Sequence, residues 1–203
     1  NFKIKNFVNV YLKIFKNNIF LNYFIILSLV NATFYALFAG GVYIVVENLK
    51  LSPTKFGLVM FPLVAFFVVS AYVSVRVDKY IQPKIIMLFG SFCTLFSAFM
   101  ILFINVVDNL TLSTLIISSL FLGWGNGHII PLATAEAINL FPEKSGTVSA
   151  SIGTGAVLSG AIVSLLFGLL YNGSPYTMTI LMLFTSLAAV IYCIKHFFNK
   201  KGL

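Results

Sequence analysis

Six apolar runs constrain this chain more than any other feature, each close to the ~20 residues a helix needs to cross a bilayer. They cover about residues 19–46, 56–75, 85–107, 112–140, 146–171 and 176–198. Backbone polar groups cannot stay unpaired in hydrocarbon, so runs of this length imply membrane-spanning helices. Composition agrees. Sixty per cent of the residues are hydrophobic and 9% are charged, against about 25% charged in a soluble domain. The expected fold is therefore all-α and polytopic. Residues 1–18 read as a basic amphipathic connector, 19–198 as a six-helix transmembrane domain and 199–203 as a tail, with no soluble domain left over.

The net charge of +8 would point to nucleic acid in a soluble protein. Here it reads as topology. Lys3, Lys5, Lys13, Lys16, Arg76, Lys79, Lys84, Lys144, Lys195, Lys200 and Lys201 all fall on one side of the six runs, and only Lys50 and Lys55 on the other. The positive-inside rule then predicts both termini in the cytoplasm and no nucleic-acid partner. In the first segment Phe7, Tyr11, Ile14 and Phe15 recur at helical spacing among lysines. Such a segment either lies on an anionic membrane surface or serves as a connector held near the membrane by its neighbours. Cys93 and Cys193 sit inside apolar runs and read as buried thiols. No CxxC, HExxH, GxSxG or Walker-type loop is present, so no metal, cofactor or enzymatic activity is expected. The chain starts at Asn1 without a cleavable signal and is expected to be a fragment of something longer.

One run departs from uniform apolarity. GWGNGHIIPLATAEAI, Gly123 to Ile138, carries Trp124, Asn126, His128, Pro131 and Glu136. Ionisable groups at membrane depth are costly and face a protein interior or a wet cavity. Gly123 and Gly127, four apart, predict a smooth face for close helix packing. Pro131 lacks an N–H, so a carbonyl in the preceding turn must find another partner.

Loop lengths and short motifs resemble the C-terminal half of a major facilitator superfamily transporter, most closely the bicyclomycin-resistance (Bcr/CflA) drug–proton antiporters. LSPTKFG (51–57) is similar to the outer turn between helices seven and eight. VRVDKYIQPK (75–84) resembles a degenerate basic loop between helices eight and nine. GWGNGHIIPLATAEAI resembles helix ten, and SGTVSASIGTGAVLSGA (145–161) helix eleven. The basic loop keeps Asp78 and Lys79 but lacks the family's glycines, and Glu136 stands where a small residue is common. The resemblance implies two inverted three-helix repeats and an N-terminal six-helix half as partner. It also implies export of a small amphipathic solute in exchange for protons across a bacterial inner membrane.

In that superfamily spans one and four line the central cavity. On span one, Ser28, Asn31, Tyr35 and Phe38 fall within about 80° of each other at about 100° per residue. They either contact substrate, or Asn31 and Tyr35 bond to a neighbouring helix while Phe38 faces lipid. On span four, Trp124, His128 and Pro131 share a face, and Asn126 lies opposite as packing glue. His128 either relays protons and contacts substrate or is neutral and bonded to helix backbone. Glu136, about 12 Å further along the axis, is either an inner proton port or a headgroup-zone partner of Lys84 or Lys144. Asp78 is expected to form an ion-pair cluster with Arg76 and Lys79.

Span five carries a stripe of small residues. Gly146, Gly153 and Gly160 repeat every seven residues, and Ser149, Ala150, Ala156, Ser164 and Gly168 extend the stripe. It reads as the interface with the missing half, or as packing against spans two or six of this one. Two rival functions remain. A six-span substrate-binding subunit of a multi-subunit importer would have a closed, vitamin-sized pocket. An intramembrane serine protease would need His128 to meet Ser151 or Ser159.

Overall fold

The computed structural model describes residues 4–198, with the side chains of 4–8 and 197 left aside. Lys3, Lys200, Lys201 and the tail expected at 199–203 lie outside the described residues, as do the side chains of Lys5 and Phe7. Seven α-helices run through the described residues: α1 (Ile4–Phe15), α2 (Asn18–Tyr43), α3 (Gly57–Val77), α4 (Pro83–Val106), α5 (Leu112–Asn139), α6 (Ser145–Leu170) and α7 (Tyr176–Phe198). The last six are long and apolar enough to span a membrane. Their limits match the six apolar runs to within a few residues. The main difference is at α2, which continues into a π-helical turn, Ile44–Asn48, before the short 3-10 turn Pro53–Phe56.

Local chemistry sets the boundaries. Asn17 caps α2, its Oδ1 accepting from Ile19 N at 2.9 Å and Phe20 N at 3.0 Å. Thr111 and Thr114 form a reciprocal capping box at α5. Pro83 opens α4, where a missing N–H costs nothing. Gly173, at φ +83°, makes the turn from α6 to α7.

Which helices touch defines the architecture. α5 packs broadly on α3 and α4, α2 packs broadly on α6 and α7, and α2·α5 and α4·α7 cross-link the two sets. The bundle is thus two rows, α3–α5–α4 and α6–α2–α7. Exchanging α2 with α5, α3 with α6 and α4 with α7 maps every one of these contacts onto another or onto itself. Helices α2–α4 and α5–α7 are therefore two three-helix repeats, of inverted topology because α2 and α5 start at opposite ends of the bundle. At one edge α4 meets α7. At the other, α3 and α6 make no substantial contact. The α2·α5 pair is left as the floor of an open face with α3 and α6 as its rims.

At the near end, the start of α2 meets the end of α7 and the α5–α6 turn, with Tyr23 against His196 (ring centroids 4.6 Å) and Phe20 against Phe141 (6.4 Å). α1 docks here through buried Ile14 and through Phe15, whose ring lies 5.4 Å from Phe20 and 5.1 Å from Phe24. At the far end Tyr171 donates to Glu47 Oε2 at 2.6 Å and Asn48 to the Gly173 carbonyl at 3.3 Å. The Tyr171 hydroxyl is pushed up to about 12, first by desolvation and then by the Glu47 hydrogen bond and charge. Between the ends, buried hydroxyls join helices: Thr33 to Thr185 at 2.8 Å for α2–α7, and Ser97 to the Ser118 carbonyl at 2.7 Å for α4–α5.

Candidate substrate cavity

Glycines set the rotation of α5, and the rotation decides what it offers to each neighbour. A Cβ on Gly123 would run into the backbone carbonyl of Leu63 on α3, and one on Gly127 into Ser70 and the Phe67 carbonyl. The smooth face expected from these two glycines is therefore the α3 contact. Gly125 lies on the other flank, where an added Cβ would be 2.5 Å from the Gly90 oxygen on α4. Pro131 leaves the Gly127 carbonyl without its helical donor, and the buried Ser74 hydroxyl of α3 reaches it at 3.4 Å.

This rotation corrects the span-four assignment. Trp124 and His128 lie between the α3 and α4 contacts, on the side of α5 away from α2. Trp124 meets Phe66 of α3 (6.0 Å between centroids), and His128 meets Phe89 of α4 (5.6 Å). His128 is buried, and its Nδ1 lies 2.8 Å from the Trp124 carbonyl. That is the backbone-bonded reading of His128. Pro131, expected on the same face, is half-buried one turn beyond. Asn126, read from sequence as packing glue, faces the other way.

Asn126 instead lines a cavity of about 300 Å³ together with Asn31 and Phe34 of α2, Leu63, Val64 and Phe67 of α3, and Ile130 of α5. No ionisable side chain lines it. Asn31 donates from Nδ2 to the Leu27 carbonyl at 2.8 Å. Asn126 is 3% exposed, and its Oδ1 has no hydrogen-bond partner. Asn31 lies 13 residues after the first residue of α2 and Asn126 14 after that of α5, so the two carboxamides occupy nearly equivalent positions in the two repeats, midway along their helices. Two other hollows lack this character. A groove of about 550 Å³ over Phe92, Phe96 and Phe99 on α4 is almost wholly apolar, and one of about 350 Å³ at Asn105, Asp108 and Tyr176 sits at the far end.

The expected span-one face divides. Asn31 faces the cavity. Ser28 lies beside Gly155 of α6, and the Tyr35 ring covers Gly160. Phe38, 50% exposed, stacks on Phe34 (6.2 Å) and meets Phe56 (6.0 Å). The span-five stripe divides too. Gly146 and Gly153 have nothing within 4 Å of an added Cβ, and Ser149 is exposed, whereas Ala156 is half-buried and Gly160 buried. A seven-residue repeat drifts by about 20° per heptad on a straight helix, so by Gly160 the repeat has turned under Tyr35. The expectation of one open surface is corrected: Gly146 and Gly153 at the near end and Gly168 at the far end are open, and Gly160 between them is covered.

Glu136 is half-buried near the Tyr23 hydroxyl, on which its charge acts. Among the described residues no ion pair joins it to Lys84 or Lys144. Lys84 instead bears on His196, a buried residue whose Nε2 has no partner. The pairing expected from sequence overlooked Tyr23 and His196, because contacts across α2, α5 and α7 leave no local spacing signal. The Asp78 cluster is likewise corrected: Arg76 lies over the Tyr72 ring, 4.8 Å from its centroid. Ser151 and Ser159 donate to carbonyls of their own helix, Thr147 at 2.8 Å and Ala156 at 2.9 Å, and His128 faces α4, so no serine–histidine pair forms.

A comparison with curated proteins finds no match. The family model of the Major Facilitator Superfamily covers residues 23–201, from the second turn of α2 through the described part of α7. With six membrane-spanning helices in two inverted repeats and a polar pair at mid-depth on an open face, the chain belongs to the Major Facilitator Superfamily of secondary transporters.

Proposed function

We propose that the chain is the C-terminal half of a proton-coupled exporter of small amphipathic solutes, of the bicyclomycin-resistance type. It works by alternating access in a bacterial inner membrane, with both termini cytoplasmic. An N-terminal six-helix half closes the open face between α3 and α6, and the near-end part of the α6 stripe is one of its contacts. The observation that carries this reading is the mid-depth cavity between α2, α3 and α5. It is mostly apolar, is lined by two carboxamides and lies between helices on the side where α3 and α6 do not meet. Such a setting suits an amphipathic solute, whose apolar body fills the hollow while a few polar contacts fix its orientation.

Within this half Glu136 is the candidate inner proton port. The Tyr23 hydroxyl is its neighbour and no cation among the described residues pairs with it, so gain or loss of a proton leaves none of those lysines stranded. His128 is set aside for that role, being wedged against Phe89 on the far side of α5. The test is uptake of labelled amphipathic drugs into everted vesicles from cells that express both halves, with and without an imposed proton gradient. Gradient-driven uptake that falls at least tenfold in Glu136→Gln, at normal expression, supports the reading. Uptake that ignores the gradient, or a Glu136→Gln variant with full coupling, refutes it.

A further inference from the structure

Polar chemistry in the cavity is narrow enough to name the group it takes. The lining contains no Asp, Glu, Lys, Arg or His. A charged ligand group desolvated there would find no counter-ion on this chain, at a cost of several kcal/mol. The ligand's polar group is therefore uncharged. Asn31 spends one N–H of its Nδ2 on the Leu27 carbonyl, which leaves its oxygen as an acceptor and its second N–H as a donor for a ligand. Asn126 is almost fully buried with its Oδ1 unpaired, and a buried polar atom left unpaired in a native structure demands an explanation. Its oxygen and nitrogen exchange places by rotation about one bond, so Asn126 supplies a donor as readily as an acceptor. The rings of Phe34 and Phe67 add flat apolar walls to the same hollow.

A group that donates to one carboxamide and accepts from the other satisfies both. We infer that the Asn31–Asn126 cavity binds a carboxamide or lactam carried on an apolar body. The inference rests on the proposed role as a solute transporter for its biological use, and on the cavity alone for its chemistry.

Direct binding to the purified chain in nanodiscs separates the two. The probes are benzamide, acetophenone (same shape, acceptor only), aniline (donor only) and benzamidinium (charged), followed by saturation-transfer NMR or calorimetry. Benzamide should bind roughly tenfold more tightly than acetophenone or aniline, as one or two buried hydrogen bonds dictate, and benzamidinium should bind weakest. Asn126→Leu should bring benzamide and acetophenone to near parity, and Asn126→Ser should retain part of the preference. Fluorescence of the single tryptophan, Trp124, reports whether each variant is folded. Equal binding of benzamide and acetophenone to the parent chain overturns the inference whatever the variants do. So does tight benzamidinium binding, or an unchanged preference in a folded Asn126→Leu chain. Amide preference without solute transport by the two assembled halves would sink the transport reading and leave this one standing.

Discussion

Gly125→Ala is the sharpest test of how this bundle is held together. The new Cβ would sit 2.5 Å from the Gly90 carbonyl oxygen, 2.6 Å from Thr94 Cγ2 and 2.8 Å from Thr94 N. Carbon and carbonyl oxygen settle no closer than about 3.3 Å, so α4 and α5 would have to part by roughly 0.8 Å. Two of the three obstacles are backbone, so no side-chain rotation relieves them. Overpacking of this kind costs about 1–3 kcal/mol, or roughly 5- to 150-fold in the folding equilibrium. Gly153→Ala is the matched control. Nothing lies within 4 Å of its Cβ, and alanine is a better helix former by up to about 1 kcal/mol on soluble scales. The assay is reversible unfolding in mixed micelles, followed through Trp124, which sits on α5 against Phe66 and His128. Gly125→Ala should unfold at lower denaturing-detergent fraction, and Gly153→Ala should match or exceed the parent. A Gly125→Ala chain as stable as the parent, or a Gly153→Ala chain less stable than Gly125→Ala, would refute this packing.

Three further outcomes are expected. Gly153→Leu should leave the isolated chain folded and inserted yet abolish pull-down of a co-expressed N-terminal half; intact assembly would remove this stretch of α6 from the interface. Tyr171 should keep its proton to about pH 12. Because its folded value is raised, the Tyr171–Glu47 contact contributes stability in full below the ordinary tyrosine value of about 10, and loses it as pH rises from there to about 12. Comparison of tyrosinate absorbance with Tyr171→Phe and Glu47→Gln checks this, and a Glu47→Gln chain that titrates identically would contradict it. Cysteine placed at Lys50 or Asn172 should react with impermeant maleimide from outside, and at Lys144 or Lys195 only after permeabilisation; external reaction at Lys144 would overturn the assigned orientation.

What sequence disclosed and what it withheld follow from the range of the interactions involved. Span limits depend on local composition and local caps, and Asn17, Thr111, Pro83 and Gly173 mark them where apolar runs begin or end. The inverted repeat was accessible through family resemblance, and the contact pattern then bears it out helix by helix. The Tyr23–Glu136–His196 grouping was not accessible, because its members are 60 or more residues apart and meet only when α2, α5 and α7 converge. The Gly160–Tyr35 contact escaped for a related reason. A heptad repeat read as one stripe assumes a fixed line of sight, yet each repeat turns the stripe slightly toward α2.

The rotation of α5 shows where a helical wheel stops being informative. A wheel fixes relative angles, and it correctly set Asn126 opposite the Trp124–His128 edge. It does not say which edge meets α2, and chemical interest alone chose wrongly. The glycines carry the missing information. At about 100° per residue, Gly123 and Gly127 centre about 100° to one side of the Trp124–His128 edge and Gly125 about 80° to the other. In lipid, helices approach closely where side chains are small, so two neighbours must press on α5 from those two flanks. The Trp124–His128 edge is then caught between them, and the remaining face, with Leu122, Asn126, Ile130, Ala133 and Ala137, is left for α2. Gly90 on α4 and the serines Ser70 and Ser74, one turn apart on α3, are the complementary small surfaces, and both stand in the sequence. Small residues bracketing a polar one from both flanks therefore orient a membrane helix. By that rule the buried unpaired carboxamide of α5, and not its histidine, points at the cavity.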